Sequence, residues 1–270
     1  GRGGAGVRSD RLVKRVLTAA VLIPVAVGLT FWAPTRSVRL ALTFVALLCL
    51  SEFLKLAVHY GAAPMRLVAY LAGAWIVAAE LPSGAAFFLG VSLLLLTLAM
   101  RGNRDLESSL PSVAATLLGI VYTTVPFRLA ADLHASTGGP HWLFYIFVIN
   151  WSGDTAAYYV GRWLGRHKLA PVISPHKTWE GAVASVLVST LIGALYLRHF
   201  LPAGPVLWFA LALSAAVNVA AQIGDLAESA LKRGAGVKDS GALLPGHGGL
   251  LDRLDGVLFS IPVVYLAVLR

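Results

Sequence analysis

Asp252 and Asp255 stand three residues apart at the start of an apolar run, so a helix there shows both carboxylates on one face. Such a pair suits a hard cation that prefers oxygen ligands. Just upstream the chain reads Leu-Pro-Gly-His-Gly-Gly at 244–249, preceded by Lys232, Arg233 and the pair Lys238-Asp239. The cationic side chains can neutralise phosphates, and Gly246, Gly248 and Gly249 let backbone N–H groups approach them closely. His247, between glycines, is placed to donate a hydrogen bond to phosphate; no second histidine lies at the spacing a zinc site needs. Earlier still, Asn218, Gln222, Asp225 and Ser229 recur at helical spacing on an otherwise apolar segment. Asn218 and Gln222 suit an interhelical hydrogen-bond seam. A carboxylate at that depth needs a cation or a proton, which makes Asp225 the third expected ligand beside Asp252 and Asp255. The competing role for Asp252 and Asp255 is helix N-terminal capping, worth about 0.3–1 kcal/mol, with Arg253 as an ion-pair partner. Cation, phosphate loops and apolar surroundings together point to phosphoryl or nucleotidyl transfer onto a lipid.

A second polar region spans 154–181. Arg162, Arg166, Lys168 and Lys177 can serve a lipid phosphate headgroup or a nucleotide, and their spacing does not divide them between the two. Ser174 before Pro175 reads as an N-cap with Pro at N1, which predicts a helix start whose free N–H groups, with Lys177, make an anion site. The plainer account is a loop whose basic residues only orient the chain in a bilayer. Trp179 can stack on a base or join the interfacial aromatic belt, the commoner role. Glu52 and Lys55, at i and i+3 in an apolar run, are expected to satisfy each other, and Glu80 and Asp132 to be solvated at the ends of spans.

The elements that must position these residues are apolar helices. Of 270 residues 57% are hydrophobic and 13% charged, against about 25% charged in soluble domains. Mean hydropathy is +0.76. The expected fold is all-α and polytopic, with about nine spans: 16–32, 40–58, 67–81, 85–100, 113–131, 143–164, 179–200, 207–231 and 250–269. The third and fourth are short. A basic N-terminal tail (1–15) precedes an N-terminal set of helices (16–140) and a C-terminal catalytic region (141–270). With the N-terminus in the cytoplasm, sixteen Lys and Arg fall on the inner side and five on the outer, with Lys55 inside a span. That orientation puts both polar loops at the cytoplasmic face, where nucleotides are. The net charge of +9 sits in short loops between apolar runs, which argues against nucleic acid and for anionic lipid or nucleotide. The single cysteine, Cys49, excludes an intrachain disulfide and reads as a packing residue. A homodimer is compatible with this pattern.

The stretch 229–255, Ser-x-Leu-Lys-Arg through Lys-Asp and Leu-Pro-Gly-His-Gly-Gly to Asp-Arg-x-Asp, resembles the signature of the phosphatidate cytidylyltransferase (CDP-diacylglycerol synthase) family. Its lead-in, Gly-Asp-Leu-x-Glu-Ser, is similar too, as are Asp-x-x-Ala-Tyr, Gly-Arg-x-x-Gly-Arg and Ser-Pro-x-Lys-Thr-Trp-Glu-Gly upstream; His176 departs from the Lys or Asn more usual at its position. The resemblance covers roughly 150–256. It implies an enzyme of the cytoplasmic (inner) membrane that makes CDP-diacylglycerol and pyrophosphate from CTP and phosphatidic acid with Mg²⁺, with room for a second cation. Asp225, Asp252 and Asp255 would hold the metal. Lys232, Arg233, Lys238, Asp239, Ser229 and the Gly-His-Gly-Gly loop would serve the triphosphate. The alternatives are a CTP-dependent lipid or polyprenol kinase, a cytidylyltransferase for another lipid phosphate and, more remotely, a secondary transporter, whose paired halves with broken helices have no counterpart here.

Overall fold

Residues 20–21, 23–79, 84–101, 106–201, 204–244 and 248–269 are described by a computed structural model. The expected tail, Glu80, Gly246 and His247 lie outside them. The fold is all-α and of membrane type. In chain order the helices are α1 (Ile23–Trp32), α2 (Thr35–Val58), α3 (Arg66–Ala78), α4 (Ala85–Arg101), α5 (Ser109–Ala135, after a short 3₁₀ turn) and α6 (Gly139–Trp163). A two-stranded hairpin, β1 (Lys168–Ala170) and β2 (Ser174–Thr178), precedes α7 (Trp179–Phe200), α8 (Leu207–Gly234) and α9 (Leu251–Leu269). Four of the helical segments, Thr35–Val58, Leu106–Ala135, Trp179–Phe200 and Leu207–Gly234, are long and apolar enough to cross a membrane. The short third and fourth expected spans are helices of 13 and 17 residues.

The outward faces are apolar. Leu187, Leu191 and Leu195 repeat every four residues on α7 and all lie exposed, as do Leu40 and Phe44 on α2. In water such stripes would be an aggregation liability, but against lipid they are the expected surface.

Two buried clusters meet along α9. One gathers Cys49, Leu50 and Phe53 of α2 with Ile76 of α3, Ile120 of α5, and Leu251 and Leu258 of α9. The other joins Tyr145 and Ile149 of α6, Leu197 of α7, Val217 of α8, and Val257 and Ile261 of α9. Successive α9 residues thus face different partners, so the helix is wedged between both sets and its first turn, with Asp252 and Asp255, is held on two sides. Cys49 is buried in the first cluster, as a packing residue should be.

Three local expectations need correction. Ser174 does not start a helix. It pairs with Ala170 at the start of β2, and α7 begins five residues later with Thr178 as its cap, whose hydroxyl accepts from the Gly181 N–H at 3.2 Å. Pro175 is tolerated because a two-stranded hairpin leaves alternate N–H positions on an unpaired edge. Asp132 is not a solvated end residue. It lies within α5 and pairs with Arg128 at 2.8 Å and Arg39 at 3.5 Å, and both arginines also donate to the Ala79 carbonyl beyond α3. Glu52 is not satisfied by Lys55, which is exposed; it is buried and bonded to residues near 240 and 250.

Candidate active site

A cavity of about 960 Å³ opens where the C-terminal half of α6, the hairpin, α8 and the start of α9 converge. Asn150, Asp154, Tyr158 and Arg162 line it from α6, and Lys168, His176 and Lys177 from the hairpin. Asn218, Gln222, Asp225 and Lys232 line it from α8, and Asp252, Arg253 and Asp255 from α9, with Asp239 from the loop between them. Two motif regions more than forty residues apart in sequence therefore make one site.

Local folding explains how each arm is set. The β1–β2 register places Lys168 opposite Thr178, so the hairpin closes at the base of α7. There the His167 N–H and ring Nδ1 meet the Glu180 carboxylate, the ring at 2.6 Å, and the Trp179 N–H donates to the His167 carbonyl at 2.9 Å. Held in this way, β2 extends Lys177 to Asp225, where Nζ and Oδ2 are 2.6 Å apart. Trp179 is exposed outside the cavity lining, in keeping with a belt position.

The polar stripe of α8 divides by depth. Asn218 and Ser185 exchange hydrogen bonds at 3.1–3.3 Å, and Gln222 donates to the Asn218 side chain at 2.7 Å and to the Ala182 carbonyl at 3.2 Å. This is the interhelical seam. Beyond it Asp225 accepts from the Ser229 hydroxyl at 3.3 Å and keeps 38% of its side chain exposed to the cavity.

Asp252 is arranged otherwise. It is 4% exposed and accepts from Lys232 Nζ at 2.6 Å, from the Ser240 N–H at 3.0–3.1 Å and from the Gly249 N–H at 2.8 Å. Three donors, the Ser240 N–H shared between both oxygens, engage each oxygen of the carboxylate. Lys232 in turn meets Glu228 at 2.8 Å, and Glu228 is fully buried. Gly248 takes the left-handed backbone (φ +82°), which turns the chain so that its carbonyl accepts from the Leu244 N–H and the next N–H reaches Asp252.

The described residues contain no ready-made cluster of three or more His, Cys, Asp or Glu side chains for a metal ion. The donor set fits a cation that takes one or two carboxylates and completes its shell with substrate phosphate and water. Asp225 and Asp255 both face the cavity within electrostatic reach of each other. Glu228 lies directly beside Asp255, and the Asp255 Oδ1 also accepts from the Gly256 N–H at 2.7 Å.

Of the other expected residues, Arg162 lines the cavity and donates to Tyr158 at 3.0 Å. Arg166, Arg233 and Lys238 are exposed outside its lining; Arg233 donates to the Val237 carbonyl at 3.2 Å. Ser229 touches the site only through Asp225. Reading the sequence missed Asp154, Glu228 and Glu52 as site residues. Asp154 and Glu228 stand inside motifs already singled out, so their signal was present. Glu52 belongs to no motif, and its place in an apolar run was its signal.

A profile described as the cytidylyltransferase family matches residues 13–269. The chain belongs to that family. It is an enzyme, a nucleotidyltransferase. It is 36% identical over 199 residues to the phosphatidate cytidylyltransferase of Staphylococcus saprophyticus, covering 74% of this chain and 73% of that one. The Staphylococcus aureus (strain COL) protein of the same name is 35% identical over the same coverage, and that of Staphylococcus epidermidis 38% over 162 residues, covering 60% of this chain and 61% of its own.

Proposed function

We propose that the chain transfers the cytidylyl group of CTP to phosphatidic acid, giving CDP-diacylglycerol and pyrophosphate. The observation that carries this reading is the cavity itself. Lysines, an arginine and open carboxylates converge at helix ends of a membrane-type fold, in a chain similar to proteins named for this activity. An oxygen of the phosphatidate monoester attacks the α-phosphorus of CTP in line, and the bond from that phosphorus to the bridging oxygen breaks, so that pyrophosphate leaves. The monoester is anionic near neutral pH, its second pKa being about 6, so no base or activated serine is needed. The chain supplies position and charge neutralisation. Lys177, Lys168, His176 and Arg162 approach the phosphates from the hairpin and α6. Asp225 and Asp255 would hold Mg²⁺, which when bound neutralises developing charge on the phosphates, and a second cation belongs to the same reading. Asp252 contributes by fixing Lys232 and the loop, and Asp239 faces the nucleotide from that loop. Arg233, Lys238 and Arg166, exposed outside the lining, are assigned to the phosphates with Gly246 and His247 on the signature alone.

The same reading places about nine spans in the cytoplasmic membrane, with the N-terminus, the tail at 1–15 and the cavity on the cytoplasmic side. Helices within 16–140 support a catalytic region at 141–270, in a protein able to pair with a second copy. Product analysis tests it. Purified protein in detergent with phosphatidic acid and Mg²⁺ should release pyrophosphate with CTP and not with ATP, GTP or UTP. Release of CDP in place of pyrophosphate would mean a kinase, and no turnover in folded protein would favour transport.

A further inference from the structure

The loop between α8 and α9 is gripped by a helix that carries none of the motifs. Glu52, on α2, is 3% exposed. It accepts from the Leu250 N–H at 3.1 Å, the Leu251 N–H at 2.8 Å and the Ser240 hydroxyl at 3.2 Å. Leu250 immediately precedes α9 and Leu251 is its first residue, so their N–H groups have no partner within that helix. A carboxylate from nearly two hundred residues away caps it instead. Room for that carboxylate depends on glycine. A Cβ at Gly249 would stand 2.7 Å from Glu52 Oε2 and 2.8 Å from the Gly241 nitrogen. Beyond the end of α2, the Tyr60 hydroxyl donates to the Leu231 carbonyl at 2.6 Å, in the last turns of α8. One end of the loop is thus tied to α2 and the end of α8 to the turn just after α2.

Ser240 links this grip to the site. Its hydroxyl meets Glu52 while its N–H meets Asp252, which holds Lys232 at the cavity wall. We propose that Glu52 is a positioning residue for the nucleotide. It acts through Ser240 and the 249–251 backbone to keep Asp252 and Lys232 in register. The inference rests on the cytidylyltransferase reading and extends it to α2.

Glu52→Gln tests it, because the amide replaces an acceptor oxygen with an NH₂ facing N–H donors. The KM for CTP should rise about tenfold or more, the loss of at least one charge-assisted hydrogen bond, with the KM for phosphatidic acid changed less than about twofold. A merely structural role would reduce the active fraction and leave both KM values in place, and that result overturns the proposal. If Glu52→Gln does not fold, Ser240→Ala removes one of the three contacts and should raise the same KM in the same sense; an unchanged value overturns the proposal. Wild-type protein that releases no pyrophosphate would instead defeat the proposed activity. Glu52 is then judged by hydrogen exchange at Ser240, Leu250 and Leu251, which should be about tenfold faster in Glu52→Gln or Ser240→Ala. Equal exchange overturns the grip itself.

Discussion

Asp225 and Asp252 face the same cavity from neighbouring helices, but they are built to opposite specifications. Asp252 is 4% exposed and takes up a lysine and two backbone N–H groups; Asp225 is 38% exposed and meets one lysine from a hairpin and one serine hydroxyl. A carboxylate with its acceptors committed to the fold is part of the scaffold. One whose oxygens face an open cavity is available to a cation and to substrate. On the proposed reading, two aspartates that look equivalent in the sequence therefore do different work, according to what their oxygens already touch.

The sharpest way to break that contrast is at Asp255, which lines the cavity beside Glu228 and accepts from the Gly256 N–H at 2.7 Å. Asp255→Asn should lower turnover by about 10²–10³-fold without loss of folded protein, measured as pyrophosphate release. Wild-type turnover would remove the open carboxylates from the chemistry. On the scaffold side, Lys232→Met leaves Asp252 and Glu228 buried without their cation. It should cost about 3–5 kcal/mol of stability, read as a large fall in the unfolding midpoint.

Lys177→Ala tests the hairpin between these extremes. Both members of the Lys177–Asp225 pair are partly exposed, so stability should change by no more than about 1 kcal/mol. Affinity for a phosphate substrate should still fall by about tenfold or more, as for other charge-assisted contacts. The smallest effect belongs to the seam below the cavity. Asn218→Ala should cost about 0.6–2 kcal/mol of stability and leave both substrate KM values unchanged.

The apolar helices were legible because each long run is uniform and bounded, and Asp225, which lines the cavity, drew notice because a carboxylate in such a run stands out. The seam through Asn218 and Gln222 followed from helical spacing. The hairpin was not legible. Ser174-Pro175 carries a helix-start signal, but pairing with 168–170 won, and the true cap, Thr178, waited three residues beyond Pro175. Asp132 and Glu52 failed for a common reason. Arg39, which meets Asp132, and the 240–241 and 250–251 backbone that holds Glu52 lie on other elements, about which local spacing carries no information, although the nearer partner of Asp132, Arg128, stood four residues away on α5. Nor could the signature rank its own aspartates, since the difference lies in backbone N–H groups that only the folded loop aims at Asp252.

The most direct test of that ranking is the thermal unfolding midpoint of Asp225→Asn and Asp252→Asn, measured side by side in the same detergent. The account predicts that Asp252→Asn unfolds well below the wild type, because Lys232 and the Ser240 and Gly249 N–H groups lose their charged acceptor, while Asp225→Asn keeps the wild-type midpoint and loses turnover. An Asp252→Asn protein as stable as the wild type would contradict it and return Asp252 to the set of purely catalytic ligands.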